Sequence, residues 1–323
     1  MQFWPRVRSK YTTPRIRNWS PSAEAKLLGF AGYKVGMTHL LINDNQTHSI
    51  TRSKDIFCPV TVIECPPIKT ASIIFYKKTK NGSEIVSEIF SGSLDKEMEK
   101  KITTHNKKGK EAEAGELALR AQHAADFDFL RMLCYTQPKL TSIGKKLPET
   151  FEIAVGGTKE QQLSYAKEKL GKEIRVNETF REGQLLDVHS ITKGKGFQGP
   201  VRRFGVQLRH HKSEKSRRNP GTLGAWRAQG HIMWRTAHAG KMGYHLRTEY
   251  NKWLIKIGNN AGEINANGGF INYGLVNNTY ILVKGSVAGA KNRLIKLTSP
   301  IRQKISTEAP QVSYISTHSK QGN

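Results

Sequence analysis

The stretch FREGQLLDVHSITKGKGFQGPVRR, residues 180–203, holds the decisive change of character in this chain. Its first half sets Leu185, Leu186, Val188 and Ile191 among polar residues, the composition of a strand. From Lys193 onward that pattern stops, and Gly194, Gly196 and Gly199 are interleaved with Lys195, Phe197, Arg202 and Arg203. The stretch therefore leaves a packed core for a surface that meets something other than the protein itself.

The cationic character continues to residue 247, with Arg and Lys interleaved with Phe204, Trp226, Trp234 and Tyr244 and almost no aliphatic periodicity. Water alone leaves such a segment unfolded. It becomes ordered when its cations meet phosphates and its rings stack on bases. Residues 190–252 carry fourteen basic residues against two acids, Glu214 and Glu249. Residues 1–34 and 284–323 each carry seven against one, whereas residues 92–182 hold seventeen basic and fifteen acidic residues. With 52 Lys and Arg against 26 Asp and Glu, the formal charge is +26, and the partner is a polyanion: nucleic acid first, an acidic membrane surface second.

Upstream, residues 27–90 read as strands at 27–30, 60–64 and 72–77, of the kind found in barrels or sandwiches. The composition then shifts to Ala, Glu, Lys and Leu, which predicts a helix over 111–133 broken near Gly115 and a second over 158–170, capped by Thr158 and ended by Gly171. Strand character returns at 174–192, 251–258 and 274–285, with turn chemistry at 259–269. Pro5, Pro14 and Pro21 keep the N-terminal stretch extended, and alone it should be disordered. The hydrophobic fraction of 37% fits a core with extensions. No apolar run approaches the ~18 to 20 residues of a membrane span, and the N-terminus lacks the apolar region of a secretory signal, so a cytoplasmic protein is expected. Cys58, Cys65 and Cys134 have no paired spacing and read as free buried thiols.

Readings as an enzyme or a metal protein are weak. His231, His238 and His245 recur every seven residues, a spacing that aligns side chains only on a helix, which Gly230, Gly240 and Gly243 oppose. GKGFQG at 194–199 lacks the order of a nucleotide-binding loop, and no activated nucleophile is legible. We expect no catalytic residue, metal, cofactor or small-molecule substrate. The alternative from another class is an RNA-modifying or RNA-processing enzyme with a basic RNA-binding surface.

Residues 180–203 also resemble a specific pattern of the ribosomal large-subunit protein three family, with Phe180, Asp187, Ser190, Thr192, Gly194-Lys195-Gly196, Gly199 and Arg203 in register. The resemblance extends to PRIRNW at 14–19, LLGFAGYKVGMTH at 27–39, GAW at 224–226, AGKMGYHLRTEYNK at 239–252, GGFINYG at 268–274 and KGSVAGAKNRLIKL at 284–297. It is of archaeal type and weakest over 91–148. It implies a translation-protein-like β-barrel with an α/β insertion, long basic extensions, and a structural role in the large ribosomal subunit that supports assembly, on the ribosome in the cytoplasm. The implied partners are large-subunit rRNA and neighbouring ribosomal proteins. Trp226 would lie near the tip of an internal finger reaching toward the peptidyl transferase centre. Two departures stand out: Lys212-Ser213-Glu214-Lys215-Ser216 lacks the histidine that eukaryotic relatives methylate, and Ala288 and Ala290 replace prolines.

The expected organisation is a basic N-terminal extension (1–26), barrel segments at 27–92, 174–192 and 251–300, an insertion at 93–173, a basic finger at 193–250 and a tail at 301–323. The expected rRNA-binding residues are Arg15, Arg17 and Trp19 in the arm. In the finger they are Lys193, Lys195, Phe197, Arg202, Arg203, Arg209, Lys212, Arg217, Arg218, Trp226, Arg227, Trp234, Arg235, Lys241, His245 and Arg247. Lys34, Lys291 and Arg293 are the candidates on the barrel.

Overall fold

The computed structural model describes residues 3–46, 48–102, 127–213, 215–224, 230–302, 308–319 and 321. The protein is mainly β, with few and short helices among the described residues. Its strands are β1 (Gly29–Asn43), β2 (Asp55–Glu64), β3 (Ile68–Thr79), β4 (Gly82–Phe90), β5 (Phe129–Tyr135), β6 (Thr150–Ala154), β7 (Glu173–Ile174), β8 (Leu185–Ile191), β9 (Phe197–Gln198), β10 (Gly240–Lys241), β11 (Leu246–Gly258), β12 (Tyr280–Lys284), β13 (Leu294–Thr298) and β14 (Val312–Ile315). The helices are α1 (Lys96–Glu99), α2 (Lys159–Lys169), α3 (Val176–Thr179) and α4 (Pro200–Phe204).

A seven-stranded sheet runs β13-β8-β11-β12-β2-β1-β14, and β13 also pairs with β1. A second sheet runs β4-β3-β5-β6, with β7 on β3. The first eight residues of β1 are buried without a break, and its second half alternates, because core covers both faces only at the start. Gly32 is required there: a Cβ would lie 2.7 Å from Cys65 Sγ and from the Glu64 carbonyl. The Tyr33 hydroxyl links the sheets, 2.9 Å from Thr136 Oγ1 and donating to Glu149 at 3.2 Å. Cys58, Cys65 and Cys134 are free and buried.

The chain divides into two compact units, Met1–Thr12 with Ile191–Arg247, and Thr13–Ser190 with Thr248–Asn323. Both sheets described above belong to the larger unit, apart from Ile191 at the end of β8 and Leu246 and Arg247 at the start of β11. In the smaller unit β9 pairs with β10.

Three expectations need correction. The helix expected over 111–133 lies outside the described residues as far as 126, and its last part is strand β5. Phe129-Leu130-Arg131-Met132-Leu133-Cys134-Tyr135 alternates between half-buried and buried positions, a period of two that the Ala- and Glu-rich stretch before it masked. The strand expected over 174–192 is broken by α3 and by a turn at Gly183 (φ +82°), with the Glu178 carboxylate accepting the Arg175 N–H at 3.1 Å. Of 274–285 only β12 is strand, since the loop before it folds around Glu64. Helix α2 starts after Thr158, whose N–H donates to Gln161 Oε1, and Gly171 follows it in the left-handed region (φ +75°).

Candidate nucleic-acid interface

The smaller unit is built on a short ribbon. β9 pairs with β10 in the register Phe197↔Lys241 and Gln198↔Gly240, and backbone bonds from Lys195 to Met242 and from Met242 to Gly196 extend it. A tight crossing sits at its foot: a Cβ on Gly243 (φ +74°) would lie 1.9 Å from the Lys193 carbonyl oxygen. After β9, Pro200 opens α4 and Gly205 closes it in the left-handed region (φ +69°). From 206 to 239 no regular element occurs among the described residues.

The N-terminal residues are held against this ribbon. Trp4 stacks on Phe204 (centroids 5.3 Å apart) and meets Trp234 edge-on at 6.0 Å. The Arg6 guanidinium lies 4.2 Å above the Phe204 ring and donates to the Arg203 carbonyl. Arg203 answers with its side chain, donating to the carbonyls of Lys241 (3.1 Å), His238 (3.0 Å) and Arg6 (3.4 Å). His245 is buried: its Nδ1 donates to the Val7 carbonyl at 2.8 Å, and its N–H reaches Thr192 Oγ1 at 3.1 Å. Ser9 N–H bonds the Tyr244 carbonyl at 2.8 Å, and Arg247 lies over Phe3 at 4.4 Å. Residues 3–9 thus form no helix or strand of their own, and these contacts hold them to the ribbon.

The expected binding residues separate into two groups. Lys193, Lys195, Arg202, Arg209, Lys212, Arg217, Arg218, Arg235 and Lys241 are exposed, as are Phe197 and Trp234. Arg235 lies 4.7 Å over the Trp234 ring, while Arg209 also donates to the Pro220 carbonyl at 3.1 Å. By contrast, Arg203, His245 and Arg247 serve internal contacts. Burial, then the neighbouring Arg6 charge, lowers the pKa of both Arg203 and Arg247 from its ordinary value. Trp226 and Arg227 lie outside the described residues.

In the larger unit Arg15 and Arg17 are exposed, whereas Trp19 is half-buried, its ring 3.0 Å from where a Gly29 Cβ would be. Lys34 is buried, its ammonium donating to the Val287 carbonyl and to that of Gly289 at 3.4 Å. Lys291 donates to the Ile271 carbonyl at 2.6 Å, and the Arg293 carbonyl accepts the Lys34 N–H at 3.1 Å. Sequence reading missed Trp4, Arg6 and Phe204. Their signal was present, an aromatic residue beside a cation at each of two distant points, but the surrounding polycation hid it.

Charge separates the units more sharply than exposure does. In the larger unit cations have carboxylate partners, such as Arg131 with Glu152 at 3.0 Å and Lys169 with Glu178 at 2.8 Å. Among the described residues, no Lys or Arg of the smaller unit has one. No group of three or more His, Cys, Asp or Glu among them is placed to hold a metal ion, and no helix is long and apolar enough to cross a membrane.

Exposed cations without acids, mixed with exposed rings on a β scaffold, define a protein of the polyanion-binding class. The family model for ribosomal protein L3 matches residues 1–322. The chain is 43% identical over 327 residues to the large ribosomal subunit protein uL3 of Methanobrevibacter smithii, covering 99% of this chain and 96% of that one. It is 45% identical to the uL3 of Archaeoglobus fulgidus, covering 100% and 97%. The chain belongs to the ribosomal protein L3 family.

Proposed function

We propose that this protein is a structural constituent of the large ribosomal subunit, a non-enzymatic protein that binds large-subunit rRNA and lies beside other ribosomal proteins in the cytoplasm. The observation that carries this reading is the smaller unit's set of cations, which have no carboxylate partner among the described residues. The Arg6 charge neighbours both Arg203 and Arg247, and Lys193, Lys195, Arg202, Lys212, Arg217, Arg218 and Lys241 are exposed. Such a surface repels itself until phosphates supply the opposite charge. Family membership supports the same conclusion and removes the ground for an RNA-modifying enzyme.

Finer parts of the reading rest on these supports. The pairings β13-β8-β11-β12-β2-β1 return to β13, which favours a closed barrel as the docking body, with an inserted domain over 93–173. The stretch 193–250 is the finger that enters gaps between RNA helices, with Trp226 near its tip by resemblance to the family, toward the peptidyl transferase centre. There it positions RNA and does no chemistry. Exposed Arg15 and Arg17 act with the arm, and the N-terminal extension (1–26) follows the RNA surface and supports assembly, whereas β14, within the stretch expected as a tail (301–323), pairs with β1.

Co-sedimentation with large subunits tests the reading. The chain should remain in the subunit fraction through a high-salt wash. A free pool that turns over a small molecule would contradict it.

A further inference from the structure

A separate surface lies on the larger unit. Along β1 the side chains at 37, 39 and 41 turn outward, and in β2 those at 55, 57 and 59 do so. The pairing Leu41↔Phe57 and Leu41↔Tyr314 sets Phe57, Leu41 and Tyr314 in one row across β2, β1 and β14. Phe57 is 64% exposed, Tyr314 42% and Met37 41%, an unusual amount of ring and thioether to leave in water. The His39 ring stacks on Phe57, with centroids 4.8 Å apart and planes 29° from parallel. A flat aromatic surface is thereby fixed before any partner arrives.

We propose that this row is a second RNA site, at which unpaired bases stack on Phe57 and Tyr314. It rests on the reading of the chain as an RNA-binding protein and adds a contact that is not made by the cationic extensions. Three observations choose RNA as the occupant. The rings stand on β2 and β14, on either side of β1 and on one sheet face, where aromatic side chains accept bases regardless of sequence. Exposed Arg52 and Lys54 lead directly into β2, within reach of the phosphates that accompany a base stacked on Phe57. Of the acids beside them, Asp55 accepts a hydrogen bond from Ser313 at 3.3 Å, and Asp44 is turned inward, accepting the Thr51 hydroxyl at 2.6 Å, which leaves Arg52 and Lys54 exposed at the edge of the row. A stacked base needs a ring rather than a pocket, which is what this surface offers.

The test uses the full-length chain and single-stranded RNA oligonucleotides, at a salt concentration that suppresses binding through phosphates alone. Phe57→Ala should weaken binding by about tenfold while leaving the salt dependence unchanged, because no charge is removed. Phe57→Trp should restore it. Because Phe57 is largely exposed, neither variant should shift the unfolding midpoint. Short-wavelength ultraviolet irradiation should link a base to the peptide carrying Phe57 or Tyr314. If the parent chain binds and Phe57→Ala binds equally well with no such crosslink, the proposal is overturned and the RNA-binding reading stands. If the parent chain binds RNA at low salt and not at this one, the proposal falls alone; if it binds at neither, both fall. Protection of Phe57 by another large-subunit protein, and not by RNA, would make the row a protein contact and overturn the proposal as well.

Discussion

Glu64 has no accessible surface, and among the described residues no cation is paired with it. It accepts the Tyr273 hydroxyl, the N–H groups of Asn277 and Asn278 at 2.9 Å each, and the Asn278 side-chain amide at 2.8 Å. This carboxylate therefore fixes the loop that leads into β12. Glu64→Ala leaves the buried Tyr273 hydroxyl and the Asn277 and Asn278 N–H groups without this acceptor, and a loss of about 3 kcal/mol is expected in urea unfolding. A loss below ~1 kcal/mol would show the loop to be held otherwise. His189 makes a different point. Its ring nitrogens lie 2.9 Å from Thr248 Oγ1 and 3.1 Å from Thr298 Oγ1. Burial lowers its pKa from 6.5 to about 4. Between those values the unfolded chain binds a proton that the folded one does not. Stability should therefore be intact above pH ~6.5 and fall by about 3 kcal/mol as the pH drops to ~4. In His189→Gln that part of the stability profile should flatten, and an unchanged profile would exclude the ring as its source.

At the scale of elements, the arm and the β9-β10 ribbon hold each other through one guanidinium more than any other group. Arg203 joins Lys241, His238 and Arg6 through their carbonyls, a geometry that lysine cannot reproduce. Both Arg203→Ala and Arg203→Lys should expose residues 3–12, 193–205 and 238–247 to limited proteolysis while the larger unit melts unchanged. Lys195→Ala should leave that protection intact and lower the slope of log K against log salt by about 0.7 to 0.9. If the two positions behave alike, the division into internal and RNA-facing cations is wrong. Composition alone made this division invisible: Arg203 and Lys195 look equivalent in a polycation, and only the fold reveals which one finds three carbonyls. Strands β2 and β3 were legible in part, at 60–64 and 72–77, because their Val, Ile and aromatic content matches a buried sheet, whereas of β1 only residues 29 and 30 fell within an expected strand. Strand β5 was not, because seven residues of period two follow a long Ala- and Glu-rich stretch. The inward turn of Lys34 was equally hidden, since a lysine in a strand reads as a surface residue until the carbonyls of Val287 and Gly289 come into view.

For the whole molecule, the formal charge of +26 is distributed by function. The larger unit neutralises many of its cations internally, and the smaller unit leaves its own for a partner. If about ten cationic side chains displace counterions, log K for rRNA should fall by roughly seven to nine units per decade of salt. The contacts of Trp4, Phe204, Trp234 and His245 give the base of the extension its shape in advance, so these residues add little ordering entropy on binding. The most direct test compares the salt dependence of rRNA-fragment binding by the parent chain with that of a variant carrying Gln at Lys193, Lys195, Arg202, Lys212, Arg217 and Arg218. The slope should fall by about four to five units. An unchanged slope would mean that these cations do not face phosphate, and it would contradict the account.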